Sequence, residues 1–206
     1  MSKGATAKLV SALLTGGLLV GVLMFKGIPV VKAHVLPSPC DFTTGGGFVL
    51  NDDGSKVNFG IVGGCKNGGF FGHVNIENHD TATFFAGLHV SSTSIDGYFT
   101  PSVGSNIRDI CGTAKTNFAP PNDTLKFRVR TEDNGEPGSG PTGPDRFGVK
   151  LCNAEGMCST TFGWLPTRYL AGGNIQLHKP NPSTTGPNPP PDEITACGGD
   201  DSGLGS

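Results

Sequence analysis

The sequence predicts an all-β domain: an antiparallel meander of about ten short strands, with a barrel favoured over a sandwich. Three observations carry this reading. Apolar residues recur with period two, most cleanly where Leu125, Phe127, Val129 and Thr131 alternate with Lys126, Arg128, Arg130 and Glu132. Turn pairs such as Asp53-Gly54, Asn67-Gly68, Asp96-Gly97, Asn134-Gly135 and Gly172-Gly173 separate the alternating runs. No window beyond residue 33 carries the 3.6-residue period of an amphipathic helix. Alternation with one polar face is the pattern of an antiparallel sheet wet on one side, and short hairpin-like connections favour closure into a barrel.

In chain order, residues 1–33 read as a signal peptide rather than as fold. Lys3 and Lys8 precede an apolar run from Leu9 to Phe25, and Val-Lys-Ala ends at Ala33, a small residue where cleavage is expected. An uncleaved anchor is the alternative, although Gly16, Gly17 and Gly21 lower the helix propensity of the run. Residues 34–180 form the single β-domain. Its expected strands are 47–51, 56–63, 70–78, 83–92, 95–100, 106–117, 125–132, 146–152, 159–165 and 174–179. A parity slip between Ile107 and Ile110 suggests a bulge near Arg108 and Asp109. Residues 181–206 are Pro-rich, then Gly/Ser/Asp-rich, with Ile194 and Leu204 as their large apolar residues. Such a segment buries too little surface to offset its ordering entropy, so it is expected to be a disordered tail.

Glycine supplies 33 of the 206 residues without the three-residue period of collagen, and 13 Phe argue for a packed core. The 15 basic residues, less the four lysines of the leader, leave 11 against 17 acidic ones, a net charge of −6. A nucleic-acid partner is therefore not expected, because the basic footprint is missing. All six cysteines follow the leader, an even count that reads as disulfides in an oxidising compartment. Cys152 and Cys158 flank a five-residue loop on a hairpin, which places them opposite one another at disulfide distance. Cys65–Cys111 is the next expected pair, leaving Cys40 and Cys197 to pair around the domain or between chains.

The ordered segments TTGGGFVL (43–50), KVNFGIVGGCKNGG (56–69), HVNIENHD (73–80), LHVSSTSIDGY (88–98), CGTAKTN (111–117), FRVRTEDNGEPG (127–138), PDRFGVKLCNAEG (144–156) and LAGGNIQLHKP (170–180) together resemble the post-COAP domain, found in secreted and cell-surface proteins of bacteria. The Gly-rich opening, the F-G-x-V strand, the S-T-S-x-D segment, the E-D-N-G-E-P-G loop followed by D-R-F, and the closing G-G-x-I-x-L-H are the most specific pieces. The resemblance implies an extracellular module with no family-wide catalytic activity or ligand, ordinarily appended to larger proteins. Here it spans nearly the whole chain after the leader.

Candidate sites are few. His73, His79, Asp80 and His89 lie on two neighbouring expected strands and their turn, a set of imidazoles and a carboxylate suited to a shallow transition-metal site or simply to a solvated face. Glu132, Asp133, Asn134 and Glu136, with Asp145 following, offer oxygens to calcium, although the EF-hand spacing is missing and a tight turn led by Asn134-Gly135 is the preferred reading. No catalytic string of the G-x-S-x-G, H-E-x-x-H or P-loop type occurs, and no carboxylate pair stands out for glycoside chemistry. Tyr98, Tyr169 and Trp164 make a thin aromatic platform, and Asn122-Asp123-Thr124 matches a glycosylation sequon.

The expected function is that of a secreted or cell-surface, non-enzymatic β-domain with a structural, adhesive or partner-binding role. No cofactor is expected, the partner is an extracellular protein or surface, and the membrane is met only through the leader. A small-ligand-binding β-barrel is the first alternative and an extracellular hydrolase the second.

Overall fold

In the computed structural model, the described residues are 33–81, 86–118, 123–136, 144–153, 158 and 164–205. Nearly all of the expected leader, and Asn122 of the sequon, lie outside them. Nine antiparallel strands follow in chain order: β1 (Phe42–Leu50), β2 (Lys56–Lys66), β3 (Gly69–Asn78), β4 (His89–Phe99), β5 (Ile107–Thr116), β6 (Leu125–Glu132), β7 (Arg146–Cys152), β8 (Trp164–Tyr169) and β9 (Gly172–His178). They form one sheet in the order β8-β7-β6-β5-β4-β3-β2-β1-β9, curled into a half-barrel. Each strand from β1 to β7 pairs with the next in sequence, and β9 returns to pair with β1. The sheet therefore has a seam between β8 and β9.

The period-two pattern decides which face is inside. Val57, Phe59 and Ile61 of β2, Ile110 of β5, Phe127 and Val129 of β6, and Phe147 of β7 share one core. Phe59 and Phe147 stack at 4.0 Å between ring centroids, so β2 and β7 meet across the interior of the curl. The β2–β3 hairpin closes on Asn67-Gly68 between the pairs Lys66↔Gly69 and Cys65↔Phe70. Both turn residues have positive φ (51° and 82°), the geometry for which Asn-Gly is favoured in two-residue hairpins.

Three expectations are corrected. The strands expected at 83–92 and 95–100 are one strand, β4, and the Asp96-Gly97 pair is not a turn. It lies at the second of two register shifts against β5, between Ser92 and Ser94 and between Ile95 and Gly97. The bulge thus lies on β4, and β5 pairs with β6 without interruption from Ile107↔Glu132 to Ala114↔Leu125. The parity slip in β5 has another cause: both faces of the strand are buried, so Asp109 and Cys111 are as enclosed as Ile110.

What encloses them is the segment expected to be a disordered tail. Ser183 and Thr185 accept hydrogen bonds from the Asn67 and Gly68 amides of the β2–β3 hairpin. The short helix α1 (Glu193–Cys197) follows, with Asp192 as N-cap accepting from the Thr195 amide and Gly198 closing it in the left-handed conformation. The chain then crosses the outer face of β6 and β7, where Lys150 Nζ donates to the carbonyls of Asp200 and Ser202. It ends against β8, whose Thr167 amide donates to the Leu204 carbonyl. Leu204 is fully buried. Composition misled because ions, backbone bonds and a disulfide, rather than apolar area, hold this segment.

Candidate functional site

The disulfides set the frame. Cys152 pairs with Cys158 across its short loop, with Cα atoms 4.1 Å apart. The other two pairs are Cys40–Cys65 and Cys111–Cys197, in place of the expected Cys65–Cys111 and Cys40–Cys197. Sheet geometry explains the correction. Cys65 has the inward parity of Val57, Phe59 and Ile61, and the Phe42↔Gly64 register brings Cys40 beside it. Cys111 has the opposite parity to the inward Ile110, and it packs with Phe99, Ala196 and Cys197 on the outer face. Three disulfides among six cysteines mark an oxidising environment.

Beside Cys111–Cys197 lies the most concentrated set of buried charges among the described residues. Asp109 projects from β5, Arg128 and Arg130 from β6, Glu193 from α1 and Asp201 from the final segment. His34 approaches from the stretch preceding β1, which is tied to the end of β4 by Val35 and Thr100. Arg128 Nη1 donates to Asp109 Oδ2 at 2.8 Å and to Glu193 Oε1 at 2.6 Å, and its Nη2 donates to the Gly199 carbonyl. Arg130 grips Asp109 through Nε and Nη2, both at 2.8 Å, and also reaches Asp201 at 2.8 Å. The Arg128 side chain is 1% exposed. Burial opposes the charge on Asp109, yet the hydrogen bonds from Arg130 and His34 outweigh it and hold the carboxyl well below its ordinary range. The same contest raises Arg130 above its ordinary value, Asp109 overcoming desolvation.

On the opposite face of β5, one residue before Asp109, is a second, smaller set. Arg108 clamps Asp41 with Nε at 3.0 Å and Nη2 at 2.6 Å, and the Tyr98 hydroxyl donates to Asp41 at 2.7 Å. Tyr98 is fully buried and offers no binding platform. Burial, then the Asp41 charge, pushes its hydroxyl well above the usual range. Tyr169, by contrast, is exposed, with the Arg146 guanidinium 5.3 Å from its ring centroid. Trp164 opens β8.

The expected metal candidates do not converge. His73 hydrogen-bonds Ser92, His79 accepts from Asn58, and His89 donates to Asn75, each on its own neighbour. Asp80 is buried near Asn78 rather than displayed beside them. Among the described residues, the group of His, Cys and acid side chains close enough to share an ion is His34, Asp109 and Glu193. Its carboxylates already accept from Arg128 and Arg130 at 2.6–2.8 Å, and two guanidiniums at that distance oppose a dication. The arrangement is a salt-bridge cluster.

The acids suggested for calcium have another task. Asp145 accepts from the amides of Asn134 (2.8 Å) and Ile175 (2.6 Å), and Asp133 from those of Gly135 (2.9 Å) and Leu177 (2.6 Å). Ile175 and Leu177 lie on β9, so the two carboxylates satisfy amides that its single pairing with β1 leaves free. Thr167 on β8 is satisfied by Leu204 in the same way. Amides on both borders of the seam thus find partners within the chain, which makes these edges poorer templates for another strand. Burial raises the Asp145 carboxyl, the Ile175 and Asn134 amides pull it back, and the charges of Asp133 and Glu136 raise it again.

Fold and site together define a disulfide-braced all-β half-barrel whose outer face is locked by a salt-bridged C-terminal segment. Comparison with protein-family models, with curated proteins and with solved structures finds no match to this chain. The sequence signals for the cluster were the run of outward basic residues on β6 and the acids of the final segment; nothing local connected them.

Proposed function

We propose that this protein is a secreted or cell-surface β-module that binds an extracellular protein or surface partner and carries out no catalysis. One observation supports this above others. Asp41, Arg108, Asp109, Arg128, Arg130, Asp145, Lys150 and Glu193 are buried, and each is engaged by a structural partner of the fold. A hydrolase needs convergent acid and base groups facing substrate, and these face one another. The small-ligand reading is less favoured, because Phe59 and Phe147 stack in the interior where a ligand-binding barrel is hollow. The resemblance of the ordered motifs to post-COAP domains, carried over as part of the proposal, points to the same extracellular role, and the three disulfides fit an oxidising compartment.

The partner surface in this reading is the outer face away from the C-terminal segment. There, the register aligns Asn174, Gly46, Gly60, Asn75, Ser91 and Lys115 in one row across β9, β1, β2, β3, β4 and β5. Gly46, Gly60, Asn75 and Lys115 are exposed. The test is adsorption of the purified exported protein to intact cells of the producing organism, alongside a panel of esterase, peptidase and glycosidase substrates. Gly60→Arg adds bulk where a Cβ meets nothing within 4 Å, so the fold should tolerate it. Loss of adsorption at an unchanged melting temperature supports the proposal. Turnover of any substrate at a rate that follows protein concentration through purification overturns it.

A further inference from the structure

We propose that His34 is the amino terminus of the mature protein, and that its α-ammonium group docks on Glu193 in the Asp109–Glu193–Asp201 cluster. The proposal rests on the export reading above and adds to it a structural role for the cut itself. The His34 backbone nitrogen lies 2.6 Å from Glu193 Oε2. Its Nδ1 donates to Asp109 Oδ2 at 2.9 Å, and its Nε2 lies 3.4 Å from Asp201 Oδ2. The His34 side chain is 7% exposed, whereas Ala33, one residue earlier, is exposed. The chain therefore passes from solvent into the cluster at the peptide bond where the Val-Lys-Ala pattern places cleavage.

Charge supplies the second argument. Asp109, Glu193 and Asp201 bring three negative charges and Arg128 and Arg130 two positive ones, and the His34 imidazole faces Asp109 and Asp201 through Nδ1 and Nε2, which leaves Glu193 Oε2 to the His34 backbone nitrogen. The nearby Lys150–Asp200 and Arg108–Asp41 pairs are each neutral. A peptide N–H at the His34 position carries no charge, whereas an α-amino group is ordinarily protonated below about pH 7.7. Hydrolysis of the Ala33–His34 bond by an export-linked endopeptidase consumes one water, leaves a carboxylate on Ala33 and frees the amine on His34. The nitrogen already directed at Glu193 then bears a positive charge and turns a neutral hydrogen bond into an ion pair. Processing thus completes the lock that holds the C-terminal segment on the sheet.

The experiment uses the full chain, exported with its own leader from a secreting host. Intact mass of the product is expected to begin at His34. The α-amine is then acetylated with an activated acetate ester at neutral pH and followed in the terminal peptide. Protection of at least tenfold in the folded protein, relative to the same protein in urea, is expected. Glu193→Gln, which keeps the shape and removes the charge, should raise the folded rate at least threefold; Asp201→Asn, at the wetter rim, serves if Glu193→Gln does not fold. A product that keeps the leader or begins elsewhere overturns both the cleavage and the docking. A product that begins at His34 but is acetylated equally fast folded and unfolded overturns the docking alone and leaves export standing. Unchanged protection in the variant also overturns it.

Discussion

Removing Cys111–Cys197 by replacing both residues with alanine should be the most destabilising of the three possible disulfide deletions. The bond closes 86 residues, against 25 for Cys40–Cys65 and 6 for Cys152–Cys158. In the chain-entropy treatment these loops correspond to about 4.6, 3.5 and 2.2 kcal/mol at 25 °C. For a domain of this size, each kcal/mol moves the melting temperature by roughly 2–4 °C, so the losses are roughly 9–18 °C for Cys111–Cys197 and 4–9 °C for Cys152–Cys158. The buried environment adds to the first figure, since Cys111 and Cys197 pack with Phe99 and Ala196 under the C-terminal segment. Calorimetry of the two double-alanine variants under non-oxidising, non-reducing conditions reads the order directly. If the Cys152–Cys158 deletion costs as much as the Cys111–Cys197 deletion, the segment is not held to the sheet as described and the reasoning fails.

Further outcomes follow from the same contacts. Arg128→Met should cost about 3–5 kcal/mol in urea unfolding, because it leaves Asp109 and Glu193 buried with one cation fewer; a loss under 1 kcal/mol contradicts the cluster. Asp109 and Asp201 hold carboxyls lowered by their arginines against the opposing effect of burial, so between the folded and unfolded values the unfolded chain binds more protons. Their stabilisation is complete above the ordinary carboxylate value near ~3.9 and is lost as pH falls through the lowered folded values, whereas the raised Asp145 acts in the opposite sense. The urea midpoint should therefore fall on acidification below about pH 4, less steeply in Asp201→Asn, and a midpoint that rises there refutes the assignment. Gly63→Ala drives a Cβ within 2.8 Å of three Ile110 side-chain atoms and should cost about 1–3 kcal/mol, while Gly60→Ala, which meets nothing within 4 Å, should cost nothing measurable. Equal melting temperatures for those two variants contradict the inward and outward assignment of β2.

The class of fold and most strand positions are legible in the amino-acid pattern, because strand formation is written locally. The alternation in Leu125–Glu132 assigns each residue to a face without reference to any other part of the chain, and Asn67-Gly68 specifies its own hairpin. The Cys152–Cys158 pair is legible for the same reason, its loop being short enough that neighbouring geometry decides it. Tertiary structure decided what covers the outward face. Arg128 and Arg130 read as solvent-facing, and by strand parity they do face away from the core; they are buried because residues 192–205 return across 60 and more positions of sequence. That return is fixed by a disulfide to Cys111 and by carboxylates whose partners lie on other strands, and composition alone reads the segment as unstructured. A strand's periodicity records which way each side chain points. Whether water or another part of the chain meets it there depends on contacts between distant residues, which local pattern does not encode.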